Sequence, residues 1–105
     1  MINRLKRESD FYKVFSKGKR VYLKSLVMLY IKSDELKIGY SVSKKHGNAV
    51  KRNRIKRLLR AAVREIFKDA QTPYYIVFMP KKAEEYYYDV FYKDIIFAKN
   101  RENLK

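Results

Sequence analysis

The chain has 105 residues, 47% of them hydrophobic, no cysteine, and a net charge of +15. That length accommodates one domain with a small core, and the missing cysteines exclude a disulfide framework and any cysteine-based zinc or iron–sulfur centre. A charge of this size opposes compaction and points to a polyanionic partner, nucleic acid before an anionic membrane surface.

Ser9 is placed to cap a short helix over Asp10–Lys17, with Phe11, Val14 and Phe15 at helical spacing and Gly18 as its stop. Val21–Ile31 is rich in β-formers and becomes apolar on both faces, which predicts a central strand. Ser33–Asp34–Glu35 reads as a turn, and Leu36–Ser43, with Ile38, Tyr40 and Val42 alternating, as the hairpin partner. From Asn48 the period becomes 3.6. Ile55, Leu58, Leu59, Ala62, Val63, Ile66 and Phe67 form the apolar stripe of a helix broken by Thr72–Pro73. Tyr74–Met79 is a continuous apolar run, a buried strand closed by Pro80. Glu84–Lys99 returns to helical spacing through Tyr87, Val90, Phe91, Ile95 and Ala98. The expected order is helix, two or three strands, helix, strand, helix: a single α+β sandwich over residues 1–105.

No apolar run approaches the ~20 residues that span a bilayer. The first ten residues, MINRLKRESD, carry no apolar stretch behind their basic residues, so no secretory signal is expected and the expected location is the cytoplasm.

The charge is segregated. From Leu36 to Arg64 there is no Asp or Glu and there are ten Lys or Arg. On the long helix Arg52, Lys56, Arg60 and Arg64 make an i, i+4 ridge, with Asn53 and Arg57 beside it. A solvated helix face usually alternates signs. A ridge of one sign repels itself until phosphate neutralises it, so nucleic-acid binding is the expected role. A membrane-surface helix competes less well, because the apolar stripe is needed for the core.

Catalytic signatures are missing. The one histidine, His46, precedes Gly47 in a basic loop with no acid nearby in sequence, and reads as a loop residue or phosphate contact rather than a general base. Asp89 and Asp94, five residues apart, point to different faces of a helix and read as surface charge. Neither a phosphate loop nor a metal-ligand spacing is present. Phe11 and Phe15 are an i, i+4 pair that either closes the core or offers a stacking platform to unpaired bases. At least one of Tyr86, Tyr87 and Tyr88 must be exposed, since three successive residues cannot share a helix face.

Ala49–Val50–Lys51–Arg52–Asn53–Arg54–Ile55–Lys56–Arg57, followed by Arg60 and Glu65, resembles the signature of the bacterial ribonuclease P protein subunit. Ser41–Val42–Ser43–Lys44–Lys45 and Gly47–Asn48 match the family's Ser-Lys-Lys and Gly-Asn steps. Arg4–Leu5, Asp10–Phe11–Tyr12–Lys13–Val14–Phe15 and Gly18 match its N-terminal aromatic helix and turn, and Tyr75–Pro80 its last strand. His46 departs from the pattern, standing where an apolar residue is more usual. The segment after Pro80 matches only by periodicity.

The resemblance implies an α-β-β-β-α-β-α order with a four-stranded sheet and a left-handed β-α-β crossover. It implies a ribonucleoprotein endonuclease in which a catalytic RNA subunit does the chemistry. Mg2+ is expected mainly on that RNA and the substrate, with no metal, organic cofactor or catalytic residue in the protein. The protein is expected to bind the RNA subunit, one protein per RNA, and the 5′ leader of precursor tRNA, whose removal leaves the mature 5′ end. Lys44, Lys45, Arg52, Asn53, Arg54, Lys56, Arg57 and Arg60 are the expected RNA-binding residues, Asn53 having a second reading as a hydrogen-bond hub at the helix start. Phe11, Tyr12 and Phe15 are the expected leader-binding residues. A ribosomal RNA-binding protein and a self-sufficient nuclease are the rival readings.

Overall fold

The computed structural model describes residues 2–105. Its hub is β5 (Tyr74–Pro80), which lies at the centre of a five-stranded sheet in the order β1-β4-β5-β3-β2. The other strands are β1 (Asn3–Arg4), β2 (Lys19–Tyr22), β3 (Leu26–Lys32) and β4 (Lys37–Tyr40). The helices are α1 (Glu8–Lys17), α2 (Ala49–Phe67) and α3 (Tyr88–Arg101). The unbroken apolar run of β5 follows from its place. Ile76 and Phe78 face one side and Val77 the other, and all three are buried. β3 does the same with Leu26 and Met28 against Val27 and Leu29.

Two layers of core result. α2 and α3 cover one face through Ile55, Leu59, Val63, Phe67, Phe91 and Ile95. α1 covers the other with Val14, over Val77 and Leu29. Among the described residues no helix is long and apolar enough to cross a membrane.

The α+β class holds, and five details of the expected arrangement change. The sheet has five strands, because Asn3 and Arg4 pair in parallel with Lys37 and Ile38. β4 is not the hairpin partner of β3. It pairs in parallel with β5, which inserts between the two, since only a place between two strands satisfies the backbone of so apolar a segment. β4, α2 and β5 therefore make the expected parallel crossover unit. The expected strand Val21–Ile31 is broken at Leu23–Ser25, where Asp94 Oδ2 on α3 accepts from the Ser25 N–H at 2.8 Å and from its hydroxyl at 2.5 Å. In addition, α1 begins at Glu8 with Arg7 in the capping position and no side-chain cap bond, so Ser9 is not the cap.

The last helix starts at Tyr88 rather than Glu84. Tyr86 is buried and ties the preceding loop, its hydroxyl accepting from the Ala83 N–H and donating to the Lys81 carbonyl. Tyr87 is 52% exposed, so the tyrosine run does place one ring in solvent.

Candidate nucleic-acid interface

Gly47 and Asn48 launch the basic helix. Gly47 has φ 121°, which an L side chain rarely adopts. It turns the chain so that Asn48 Oδ1 accepts from the Lys51 N–H at 2.9 Å and caps α2. The cap is thus Asn48, and Asn53 lies exposed one turn into the helix. Lys44 and Lys45 occupy a single 3-10 turn just upstream and are exposed.

Along α2 the cations divide. Arg52, Lys56 and Arg60 are half-buried, the last two beside the β4 edge of the sheet, while Arg57 and Arg64 are exposed. The Arg60 guanidinium lies 5.9 Å from the centre of the Tyr40 ring, a cation–π distance. Among the described residues the Arg52 and Arg60 Nε atoms are buried and unpartnered. Arg54 belongs elsewhere. Two residues on from Arg52 it has rotated by about 200°, and its charge acts on the Tyr87 hydroxyl at the α3 side.

The flank opens on a groove of about 280 Å³ that brings Lys56 and Arg60 together with Arg4, Tyr40 and Phe11. A second cavity of about 420 Å³ continues past Arg60 to Arg64 and Lys68. Burial drives the Tyr40 hydroxyl up to about 12, against the opposing pull of Arg60, Arg4 and Arg64. Three cations therefore surround a phenol that stays neutral and available as a donor.

Phe11 reaches this groove because residue 39 is glycine. A Cβ there would sit 2.6 Å from the Phe11 ring. Phe11 and Phe15 stack with centroids 6.4 Å apart and planes at 24°. Both are half-buried at the edge of the smaller core, so each has a packed side and an open side. Tyr12 is 73% exposed on another face of α1 and does not line the groove.

His46 departs from the expected loop residue. It is 3% exposed, with Nδ1 accepting from the Ser43 N–H at 3.1 Å and Nε2 donating to the Pro80 carbonyl at 2.8 Å. Neither nitrogen is left to serve as a base or to reach a phosphate. Among the described residues no group of three His, Asp or Glu could hold a metal ion.

Sequence reasoning did not single out Tyr40 for this interface, nor Lys6, which also lines the groove, and used Arg4 only as a motif match. Arg4 and Tyr40 join it through the β1–β4 pairing, for which a two-residue strand leaves no periodic signal.

A family model described as Ribonuclease P matches residues 2–101. A ribonuclease P protein component of Bacillus cereus is 36% identical over 98% of this chain and 93% of that protein. One from Bacillus velezensis is 52% identical, over 60% of this chain and 57% of its own length. The crystal structure of the Staphylococcus aureus RNase P protein superposes with a TM-score of 0.84 at 25% identity, covering 99% of this chain and 98% of that one.

Proposed function

We propose, because this chain belongs to the ribonuclease P protein family, that it docks a catalytic RNA subunit and holds the 5′ leader of precursor tRNA during endonucleolytic removal of that leader. One observation carries the reading. The like-charged flank of α2 and Phe11 of α1 converge on a single groove, where Phe11 lies with Lys56 and Arg60, and Phe15 stacks on Phe11 beside it. Cations there neutralise phosphate, with Arg60 in the groove and Arg52 one turn before Lys56 carrying planar guanidinium forks suited to it. The open sides of Phe11 and Phe15 offer a stacking surface to unpaired bases, which suits a single-stranded leader.

In this reading magnesium would be held by the RNA and the substrate phosphates rather than by the protein. The protein's donor set does not fit it. Among the described residues no carboxylate cluster exists, and the groove is lined by cations that repel a divalent ion. In this reading the residues of the chain bind and orient, and hydrolysis is assigned to the RNA.

The test is a reconstitution at low magnesium with precursor tRNA and the RNA subunit. Adding the protein should accelerate leader removal, and the protein alone should leave precursor intact. Specific cleavage by RNA-free protein, surviving removal of contaminating nuclease, would overturn the proposal.

A further inference from the structure

We propose that the RNA-docking surface continues from Lys44 and Lys45 onto Lys81 and Lys82, and that His46 is the positioning residue that holds the two halves in register. This extension rests on the RNA-docking reading above. Among the described residues only His46 and Thr72 are buried polar side chains, and an apolar residue at position 46 would fill the same space. The imidazole adds direction. Because Nδ1 accepts from the Ser43 N–H, the ring proton sits on Nε2 and is donated to the carbonyl of Pro80, 34 residues away, at 2.8 Å.

That bond joins two stretches of the same chemistry. Lys44 and Lys45 immediately precede His46, Lys81 and Lys82 immediately follow Pro80, and all four are exposed. None of the four makes an ion pair among the described residues. The same loop carries two exposed acids, Glu84 and Glu85, neither of them paired with these lysines, and Glu85 accepts from the Tyr87 hydroxyl. A second tie lies alongside. Lys51 of α2 donates to the Glu84 carbonyl at 3.0 Å and covers the Tyr86 ring at 5.8 Å. The loop after β5 is thus fastened at two points to the segment that carries the docking lysines. Two unneutralised lysine pairs held together by a buried, directional bond suit a phosphate backbone crossing from one pair to the other. Without the bond each pair meets RNA independently and pays its own ordering cost.

Three substitutions separate positioning from packing. His46→Gln keeps an N–H near the place of Nε2. His46→Asn keeps only an acceptor near Nδ1. His46→Leu fills the space with neither. Affinity for the RNA subunit should be retained by the Gln variant and fall about 5-fold in the Asn and Leu variants, the scale of one lost neutral hydrogen bond. Melting temperature should not follow that order, because Leu suits a buried site. On the surface side, Lys81→Ala with Lys82→Ala should weaken RNA binding and flatten its log–log salt slope by about 1.5, with a smaller effect in the His46→Leu background. The single histidine also gives an unambiguous nitrogen NMR signal, which should report the Nε2-protonated tautomer free and RNA-bound. The inference is overturned by unchanged affinity in the lysine pair variant, by equal affinity in all three His46 variants, by losses that track melting temperature, or by an averaging, solvent-exposed imidazole signal. Arg52→Ala with Arg57→Ala is the control. If that variant also binds normally, the RNA-docking reading itself fails, whereas its failure to bind beside unaffected Lys81 and Lys82 variants rejects the extension alone.

Discussion

On one face of the sheet Leu26, Met28, Ile76 and Phe78 lie under α2 and α3 with no contact with water. On the other, Val27, Leu29 and Val77 are sealed largely by α1, while Phe11, Phe15, Ile31, Tyr75 and Met79 around them keep part of their surface open. The strand chemistry is similar on both sides, so the cover makes the difference. A helix of ten residues is about 15 Å long, whereas five strands span roughly 19 Å between outer axes. α1 is too short to close its face. The 19 residues of α2 and 14 of α3 close theirs. One face is spent on stability, and the other is left with aromatic surface beside a cationic flank.

The comparison breaks first on the sealed face. Phe78 is fully buried and packs edge-on against Phe67. Phe78→Ala should cost about 3–5 kcal/mol of stability, read as a lower denaturant midpoint. A loss below about 1 kcal/mol would mean that this face is not the one holding the fold.

On the cationic flank the expected effect is on binding. Arg52→Ala with Arg57→Ala should weaken RNA-subunit affinity and flatten its log–log salt slope by about 1.5, the share of two phosphate contacts. Circular dichroism should remain that of a folded chain, with only a small stability change from the half-buried stem of Arg52. An unchanged slope would reduce the flank to a solvated surface.

A smaller effect concerns the end of α3. Glu102 accepts from Lys19 at 2.7 Å and from the Tyr30 hydroxyl at 2.5 Å. Lys19, then Tyr30, holds its carboxyl below the usual glutamate range. Burial, aided by Glu102, pushes Tyr30 up to about 12. For Glu102, whose folded value is the lower one, the unfolded chain binds the proton more readily. The stabilisation is full above the usual glutamate range and is lost as pH falls through the lower folded value. Melting temperatures of wild type and Glu102→Gln should differ at neutral pH and converge on acidification. Parallel curves down to low pH would remove Glu102 from the account.

Legibility in the sequence followed the range of the interactions. α2 was readable because its stripe repeats over five turns, and β5 because a continuous apolar run needs cover on both faces. The hairpin partnership of β4 was misread because the strand that displaces it arrives only at Tyr74. The turn at Leu23–Ser25 carries no glycine or proline; its stabilising carboxylate, Asp94, is 69 residues away. In the candidate interface, i, i+4 spacing gave a ridge of Arg52, Lys56, Arg60 and Arg64, of which the first three are half-buried and Arg64 is exposed. The same geometry sends Arg54 to the opposite flank, which the linear Arg-Asn-Arg motif conceals. Tyr40 and His46 were missed as structural partners for one reason: the groups that give them meaning, Arg60 and Pro80, are distant in sequence.

Phe15 carries the distinction between the faces most sharply, because it stands where cover ends. Phe15→Ala can be compared in the reconstituted enzyme on two precursors, one with a leader of several nucleotides and one with a single-nucleotide leader. The open-face account predicts a loss of roughly 1–3 kcal/mol in binding of the long-leader precursor, little change for the short one, and far less destabilisation than Phe78→Ala. An equal penalty on both precursors, with a fall in stability matching that of Phe78→Ala, would contradict it and make the α1 face a second hydrophobic core.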